Sequence, residues 1–215
     1  MHYALCIMNY FSRIIHNFVP MNNIYKNICV FCASSPSLPQ VYIDAAYELG
    51  KLIAGMGSSC ICGAGRTGLM LAVTEGVFSR GGSVIGVIPQ FMVDRKWHHK
   101  DLSEIIITED MHGRKQIMSE RADAVIALPG GCGTFEELME VITWRQLDIY
   151  NNPVVILNIN GFYNPLLEMF DKAVHEGFMR PSNRDLWMVA SSPEEAIDLL
   201  LNYDRENIKP VEPKY

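Results

Sequence analysis

Continuous apolar runs alternate with segments of helical period along most of this 215-residue chain. Two of the runs, at 124–128 and 154–157, contain no polar residue at all. Strands of this kind are buried on both faces, as they are in a parallel sheet that helices cover on either side. The pattern predicts strands near 27–32, 58–62, 83–88, 104–108, 124–128, 153–158 and 187–190. It predicts helices near 39–55, 66–80, 111–122, 134–150, 164–177 and 193–202.

This order of elements indicates an α/β protein with a doubly wound, mostly parallel sheet of about seven strands and helices on both faces, that is, a Rossmann-like fold. In such sheets ligands bind beyond the carboxyl ends of the strands. Three loops lie at such ends, at 32–35, 63–68 and 129–134. The longest irregular stretch, 89–101, is predicted to form a flap over the site.

The segment 129–137 reads Pro-Gly-Gly-Cys-Gly-Thr-Phe-Glu-Glu and follows a predicted strand. A junction of strand, glycine turn and helix start points free backbone N–H groups and the positive end of the helix dipole at one place. Gly130, Gly131, Gly133 and Thr134 are therefore predicted to bind a phosphate, with the carboxylate of Glu137 one turn further on. A capping box of Thr134 and Glu137 is the simpler alternative, but it leaves the glycines unexplained.

A second glycine loop, Gly-Ala-Gly-Arg-Thr-Gly at 63–68, fits the dinucleotide pattern Gly-x-Gly-x-x-Gly. A nicotinamide-dependent enzyme normally has an acidic residue at the end of the next strand, where it binds the ribose. That strand, at 83–89, contains no carboxylate, and the loop follows the second strand rather than the first. Dinucleotide binding is therefore disfavoured. Two roles remain open for Gly65, which are close helix–strand packing and direct contact with a ligand.

Length and composition predict one domain at 24–215 that follows an N-terminal extension at 1–23 outside the fold. The extension is apolar but is interrupted by Arg13 and His16, which makes it a poor membrane span. A formal charge of −6 without a long basic run argues against nucleic acid or an anionic membrane as partner. His98 and His99 have no further ligands at suitable spacing, so no metal site is predicted.

The cysteines indicate a reduced protein. Cys29 and Cys32 have a redox-like spacing, but they lie in one predicted strand, where an odd separation turns their side chains to opposite faces. Cys60 and Cys62 also lie in a predicted strand and are interpreted as small buried apolar residues. A cytoplasmic protein is therefore predicted.

Six motifs are distinctive in combination. They are A-S-S at 33–35, G-L-M at 68–70, M-H-x-R-K at 111–115, P-G-G-x-G-T-x-x-E at 129–137, W-x-Q-L at 144–147 and D-x-A-V-x-E-G-F at 171–178. Together they resemble the LOG family of cytokinin riboside 5′-monophosphate phosphoribohydrolases, which is often labelled lysine decarboxylase-like. The chain differs from the usual family pattern at three positions: Ala64 and Leu71 replace glycines, and Cys132 replaces a residue that is often aromatic.

The resemblance implies an enzyme that hydrolyses the N-glycosidic bond of a purine nucleoside 5′-monophosphate and releases the free base and ribose 5-phosphate. It implies that Arg114 and Glu137 form the catalytic pair. Ser34, Met111 and Lys115 are predicted to contact the substrate as well. No cofactor is expected, and family members usually assemble as homodimers or larger homo-oligomers.

The residue types are suited to this chemistry. An ionised carboxylate beside the ribose can stabilise the positive charge that develops on the sugar and can activate water. The guanidinium of Arg114 suits phosphate or the ribose hydroxyls and favours ionisation of Glu137. Alternatively, Arg114 and Lys115 form only a solvated helix face. Two other functions are weighed against the hydrolase: a non-catalytic nucleotide or phosphorylated-cofactor carrier, and a pyridoxal-dependent decarboxylase, for which no lysine lies in a recognisable Schiff-base motif.

Overall fold

A seven-stranded sheet forms the centre of the computed structural model, which describes residues 25–204. The predicted extension at 1–23 and the segment 205–215 lie outside the described residues. Every predicted strand is confirmed, with ends that differ by at most one residue. The strands are β1 (Asn27–Phe31), β2 (Ser59–Cys62), β3 (Val84–Pro89), β4 (Glu104–Thr108), β5 (Ala124–Ala127), β6 (Val154–Leu157) and β7 (Met188–Ala190).

Seven α-helices occur in the described part of the chain. They are α1 (Gln40–Gly55), α2 (Gly68–Phe78), α3 (Gln90–Asp94), α4 (Met111–Arg121), α5 (Cys132–Gln146), α6 (Asn164–His175) and α7 (Pro193–Leu201). The prediction that 89–101 is irregular was wrong in part, because α3 lies within it. The predicted end of α5 at 150 was also wrong. Asp148 adopts a positive φ of 59° and Ile149 donates its N–H to the carbonyl of Trp144, so a Schellman motif ends this helix.

All neighbouring strands are parallel, in the order β4-β3-β2-β1-β5-β6-β7, which confirms the predicted doubly wound sheet. The chain moves outward from β1 to β4 and then returns, so that β5 pairs with the free side of β1. In this pairing Ile28 lies opposite Ala124, and Phe31 lies opposite Ala127. The strand order therefore reverses between β1 and β5, which is where doubly wound sheets bind ligands.

Helices cover both faces of the sheet and enclose two apolar clusters. The helices α1, α2 and α7 pack on one face, and α4, α5 and α6 pack on the other. Cys29 belongs to one cluster and Cys32 to the other, which confirms that their side chains point to opposite faces. Cys60 and Cys62 are buried, as predicted. All five cysteines of the described residues are free thiols.

The backbones of α1 and α2 meet at two buried glycines. A Cβ atom at Gly50 would overlap the carbonyl oxygen of Val73, and one at Gly76 would overlap the carbonyl oxygen of Tyr47. Only glycine permits so close an approach, because any side chain would separate the two helices. The N-terminus of α2 adjoins the loop at 63–68. The contact between α1 and α2 therefore also helps to position this loop at the carboxyl end of β2.

We expect Gly50→Ala to lower the free energy of unfolding by about 1–3 kcal/mol, because overpacking outweighs the better helix propensity of alanine. Gly55→Ala is the matched control, since it lies in the same helix and a Cβ there meets no atom within 4 Å. That variant should be unchanged or more stable by up to about 1 kcal/mol. Urea unfolding of both variants measures the difference, and equal stability of the two would contradict close packing at Gly50.

Candidate active site

A cavity of about 720 Å³ lies beyond the carboxyl ends of β1, β2, β3 and β5, at the reversal of strand order. Its volume is typical of sites for small molecules, which span roughly 300–1,000 Å³. Of the predicted site residues, all but Lys115 and Gly130 line it. The complete lining is Cys32, Ala33, Ser34, Ser35, Gly63, Gly65, Arg66, Thr67, Met70, Ile88, Met92, Trp97, Met111, Arg114, Gly131, Gly133, Thr134 and Glu137.

Hydrogen bonds join the loops that form the floor of the cavity. Ala33 donates its N–H to the carbonyl of Pro129 at 3.2 Å, which connects the ends of β1 and β5. The carbonyl of Ala33 accepts the N–H of Leu69 at 2.9 Å, which connects β1 to α2. Gly68 has a φ of +63°, and a Cβ there would overlap the carbonyl oxygen of Ser35. The close approach of α2 to the β1 loop therefore requires glycine at 68.

The N-terminus of α5 opens into the cavity. The helix begins at Cys132 with Gly131 as its N-cap, and its first backbone bond runs from the N–H of Phe135 to the carbonyl of Gly131. The preceding helical N–H groups have no partner within the helix and are available to an anion. Thr134 lies inside the helix, and no side chain caps the N-terminus of α5. The alternative of a capping box formed by Thr134 and Glu137 was therefore wrong. Gly130 lies beneath Thr134, whose side chain would overlap a Cβ at 130.

Arg114 projects from the first turn of α4 and is 6% exposed. Asp110 caps this helix by accepting the N–H of Gly113 at 2.8 Å. The Arg114 side chain is held by a 3.1 Å hydrogen bond from its Nε to the carbonyl of Val87 in β3. A Cβ at Gly63 would overlap its Nη2, so glycine at 63 makes room for the guanidinium. Arg114 is therefore a fixed cation in the cavity wall and not a solvated helix residue.

Glu137 lies beside this cation and is also 6% exposed. Its Oε1 is 3.8 Å from Nη2 of Arg114, which is longer than a direct hydrogen bond. Burial raises the pKa of Glu137 to about 7, although the Arg114 guanidinium lowers it and the nearby carboxylate of Glu136 raises it further. A carboxyl group with a pKa near neutrality is suited to general acid–base catalysis.

Lys115 does not line the cavity, contrary to its predicted contact with substrate. Its Nζ donates to Glu136 at 2.6 Å and to Glu140 at 3.2 Å. The hydrogen bond to Glu136 is the main cause of a raised pKa of Lys115, so the amine stays protonated. Its neighbour Arg114 points into the cavity instead, because adjacent helix residues face different directions. The geometry favours a structural role for Lys115 that links α4 to α5.

The loop at 63–68 contacts the flap at 89–101. Gly65 forms an antiparallel bridge with His98, and His99 donates its N–H to the carbonyl of Ala64 at 2.9 Å. The ring Nε2 of His99 lies 3.1 Å from Oε1 of Glu75 in α2. These contacts hold the segment 97–99 against the glycine loop. Gly65 lines the cavity, so its position permits direct contact with a ligand.

Sequence reasoning missed three lining residues that carry distinctive chemistry: Arg66, Met92 and Trp97. Arg66 was part of the glycine motif, yet the motif gives no direction for its side chain. Met92 and Trp97 lie in the flap that the sequence predicts over the site, but the sequence does not show which side chains of the flap face the cavity. No group of His, Cys, Asp and Glu suited to a metal ion occurs among residues 25–204.

Fold and site together define a Rossmann-like protein in which an uncapped helix N-terminus opens into a cavity beside a buried Arg–Glu pair. Residues 70–200 match the family model described as "Possible lysine decarboxylase". The chain is 46% identical over 187 residues to the probable cytokinin riboside 5′-monophosphate phosphoribohydrolase LOGL2 of Oryza sativa subsp. japonica, covering 87% of this chain and 77% of that protein. It is 45% identical over 179 residues to cytokinin riboside 5′-monophosphate phosphoribohydrolase LOG1 of Arabidopsis thaliana, covering 83% and 84%. The chain therefore belongs to the LOG family.

Solved structures with a similar fold include two molybdenum cofactor proteins. The molybdenum cofactor binding protein of Rippkaea orientalis has a TM-score of 0.63 and 26% identity, covering 81% of this chain and 94% of that chain. The molybdenum cofactor carrier protein of Chlamydomonas reinhardtii has a TM-score of 0.62 and 24% identity, covering 82% and 98%. The doubly wound fold is therefore shared with these proteins.

The raised pKa of Glu137 predicts a pH-dependent stability. Between the ordinary value of 4.5 and about 7, the folded protein binds more protons at this group than the unfolded chain does. The free energy of unfolding should therefore fall as pH rises through this interval, by about 3 kcal/mol from this group. Glu137→Gln removes the contribution, so its stability gain over the wild type should grow from about pH 5 to about pH 8.

Urea unfolding of both proteins at several pH values tests this. The control is Glu168→Gln, which changes an exposed carboxylate on α6. Its stability relative to the wild type should vary much less with pH. If the free energies of unfolding of Glu137→Gln and the wild type changed in parallel with pH, Glu137 would ionise at its ordinary pKa.

Proposed function

We propose that this protein is a nucleoside 5′-monophosphate phosphoribohydrolase that cleaves the N-glycosidic bond of a purine, cytokinin-type nucleotide. The products are the free base and ribose 5-phosphate. The observation that carries the proposal is the presence, in one cavity, of the open N-terminus of α5 and the buried pair of Arg114 and Glu137. The relatives from Oryza sativa and Arabidopsis thaliana bear the name of this reaction.

The spacing along α5 fits a 5′-nucleotide. The N–H groups of 132–134 would bind the phosphate, with the Thr134 hydroxyl and Ser34 as further donors. Thr134 and Glu137 are three residues apart, so they lie on the same side of the helix, and both are buried against the cavity. This separation is about 5 Å along the helix axis. A phosphate at the first turn therefore brings the attached ribose beside the carboxylate.

Cleavage breaks the bond between the ribose carbon C1′ and the base nitrogen. The electron pair leaves with the base, which takes up a proton, while positive charge develops on the ribose ring. The Glu137 carboxylate stabilises that charge and accepts a proton from the water that attacks C1′. Arg114 contributes a fixed positive charge for the phosphate or the ribose hydroxyls without needing to reorganise.

The strongest rival is a carrier that binds a nucleotide or phosphorylated cofactor without reaction. The resemblance in fold to molybdenum cofactor proteins is the observation in its favour. A carrier needs the phosphate-binding N-terminus of α5, but it gains nothing from a buried carboxyl group in the path of an anionic ligand. The Arg114–Glu137 pair therefore supports the enzyme.

The family label of lysine decarboxylase finds little support in this site. Pyridoxal chemistry requires a neutral lysine amine that can form a Schiff base. Among residues 25–204, the cavity is lined by no lysine, and the buried Lys115 is ion-paired to two carboxylates. A hydrolytic reaction does not require a neutral lysine in the cavity.

The direct test incubates the protein with AMP and with N6-isopentenyladenosine 5′-monophosphate, and follows free base and ribose 5-phosphate by chromatography. The matching nucleosides without phosphate serve as control substrates and should react poorly, since they cannot use the N-terminus of α5. Release of base from the nucleotides supports the hydrolase. Tight binding of nucleotide with no release of base at any pH would support the carrier instead.

We expect Glu137→Gln to lower kcat by roughly 100- to 10,000-fold, because an amide cannot accept the proton from water. For the wild type, kcat/KM should rise with pH through about 7, as the carboxyl of Glu137 loses its proton in the free enzyme. Initial rates across pH measure both effects. A rate that is flat across this range, or a fully active Glu137→Gln, would remove Glu137 from the mechanism.

A second prediction separates the position of Arg114 from its charge. Gly63→Ala should lower kcat/KM by roughly 10-fold or more, because the new Cβ occupies the space of the guanidinium while the arginine itself is kept. Gly55→Ala, a glycine substitution outside the cavity, should keep full activity. Circular dichroism shows whether both variants are folded. Normal activity of a folded Gly63→Ala variant would mean that Arg114 need not hold the observed position.

The proposal extends to the oligomeric state of the protein and to its location in the cell. Leu147 and Ile149 are exposed apolar residues at the end of α5, and we propose that they contribute to a homodimer or a larger homo-oligomer. The free thiols of the described residues fit a reduced, cytoplasmic setting. Within residues 25–204, no helix has the length and apolar character needed to cross a membrane. Sedimentation of the wild type and of Leu147→Asp compares the oligomeric states of the two proteins directly.

A further inference from the structure

Trp97 has a fixed position at the edge of the cavity because a Schellman motif ends α3 immediately before it. Lys96 adopts a left-handed φ of 58° and donates its N–H to the carbonyl of Val93 at 2.8 Å. Trp97 donates its N–H to the carbonyl of Met92 at 3.1 Å. This motif commonly brings the side chains at these two positions together. Met92 and Trp97 accordingly both line the cavity.

The residues after Trp97 are fixed as well. His98 bridges to Gly65, and the backbone N–H of His99 binds the carbonyl of Ala64. The backbone at Trp97 is therefore anchored on its N-terminal side by the end of α3 and on its C-terminal side by the glycine loop. A side chain carried on a backbone fixed in this way loses less entropy when it contacts a ligand.

One side of the indole is supported from outside the cavity. The guanidinium of Arg95 lies 5.0 Å from the centroid of the Trp97 ring and 5.5 Å from that of Phe91, within cation–π range. Of these three side chains only Trp97 lines the cavity. The indole is 46% exposed, so it keeps aromatic surface that a ligand can cover.

Sheet topology sets the distance between the indole and the phosphate-binding helix. The flap follows β3 and α5 follows β5, and these strands are three places apart in the sheet. Neighbouring strands lie about 4.8 Å apart, which separates the two ends of the site by roughly 14 Å. Arg114 and Glu137 line the same cavity. A nucleotide with its phosphate at α5 and its ribose beside Glu137 would extend its base toward Met92 and Trp97.

We infer that Trp97 is a specificity-determining residue, which recognises the nucleobase of the substrate by aromatic stacking. The inference rests on the proposed function, because it takes the ligand to be a nucleoside 5′-monophosphate. Stacking is strongest for large planar bases, so Trp97 favours purines over pyrimidines. It acts on binding and not on the proton transfers at Glu137.

Calorimetric titration in a Glu137→Gln background tests the inference without hydrolysis. The ligands are AMP, CMP and ribose 5-phosphate, the last of which lacks a base. Adding Trp97→Ala should weaken AMP binding roughly 5- to 150-fold, the usual effect of removing an aromatic platform. The loss should be smaller for CMP. Ribose 5-phosphate should bind within about twofold of its original affinity.

Three further variants sharpen the result. Trp97→Phe keeps an aromatic face and should retain most of the AMP affinity, whereas Trp97→Leu keeps apolar bulk alone and should lose it. Phe178→Ala is the control, an equally large truncation at a surface residue that is 82% exposed and does not line the cavity. It should leave the affinity for all three ligands unchanged.

Two results would overturn the inference. One is an equal loss of affinity for AMP and ribose 5-phosphate in Trp97→Ala, which would give Trp97 a role only in the shape of the flap. The other is unchanged AMP binding in Trp97→Ala or in Trp97→Leu. Failure of the proposed function has a different signature, because wild-type protein would then release no base from AMP or from N6-isopentenyladenosine 5′-monophosphate whatever the titrations show.

Discussion

The pairing of β1 with β5 is the contact on which the rest of the site depends. Leu128 donates its N–H to the carbonyl of Phe31, and Ala33 donates to Pro129, so the hydrogen bonds continue past the last residues of both strands. Because β5 returns to the free side of β1, the helices that follow them leave toward opposite faces of the sheet. The cavity lies beyond the carboxyl ends of the strands at this reversal of strand order. The α5 N-terminus, the Ser34 loop and the glycine loop meet there for this reason.

Burial dominates the electrostatics of the Arg114–Glu137 pair. An opposite charge within about 4–6 Å lowers the pKa of a carboxyl group. Here the desolvation of Glu137 outweighs that attraction, since the carboxyl lies at 3.8 Å without a direct hydrogen bond to the guanidinium, whose Nε is already bound to Val87. In the proposed complex, a phosphate at the N-terminus of α5 would add negative charge near the same group and raise its pKa again. Substrate bound in this way would favour a proton on Glu137, and Arg114 would oppose that tendency.

Local sequence predicted the parts of this structure that local forces determine. Segments of 4–6 residues with an apolar centre predicted all seven strands, and the glycines at 130, 131 and 133 predicted a helix start that lies within two residues of the observed one. The direction of Lys115 and the position of Trp97 could not be read in the same way. Lys115 is drawn out of the cavity by carboxylates on α5, and Trp97 is placed by a backbone bridge to a distant loop. Both depend on tertiary contacts between segments that lie far apart in sequence.

The three departures from the usual family pattern also show that tertiary contacts decide what a residue does in the site. Ala64, Leu71 and Cys132 do not line the cavity, so the surface presented to a ligand is unaffected by their side chains. Ala64 has a positive φ of 62°, a conformation that costs a residue with a Cβ about 1–2 kcal/mol relative to glycine. Its methyl group is accommodated because Gly86 on β3 leaves the facing space empty, where a Cβ would approach it to 2.7 Å. The carbonyl of Ala64 in turn accepts the N–H of His99, so the strained residue anchors the flap that carries Trp97.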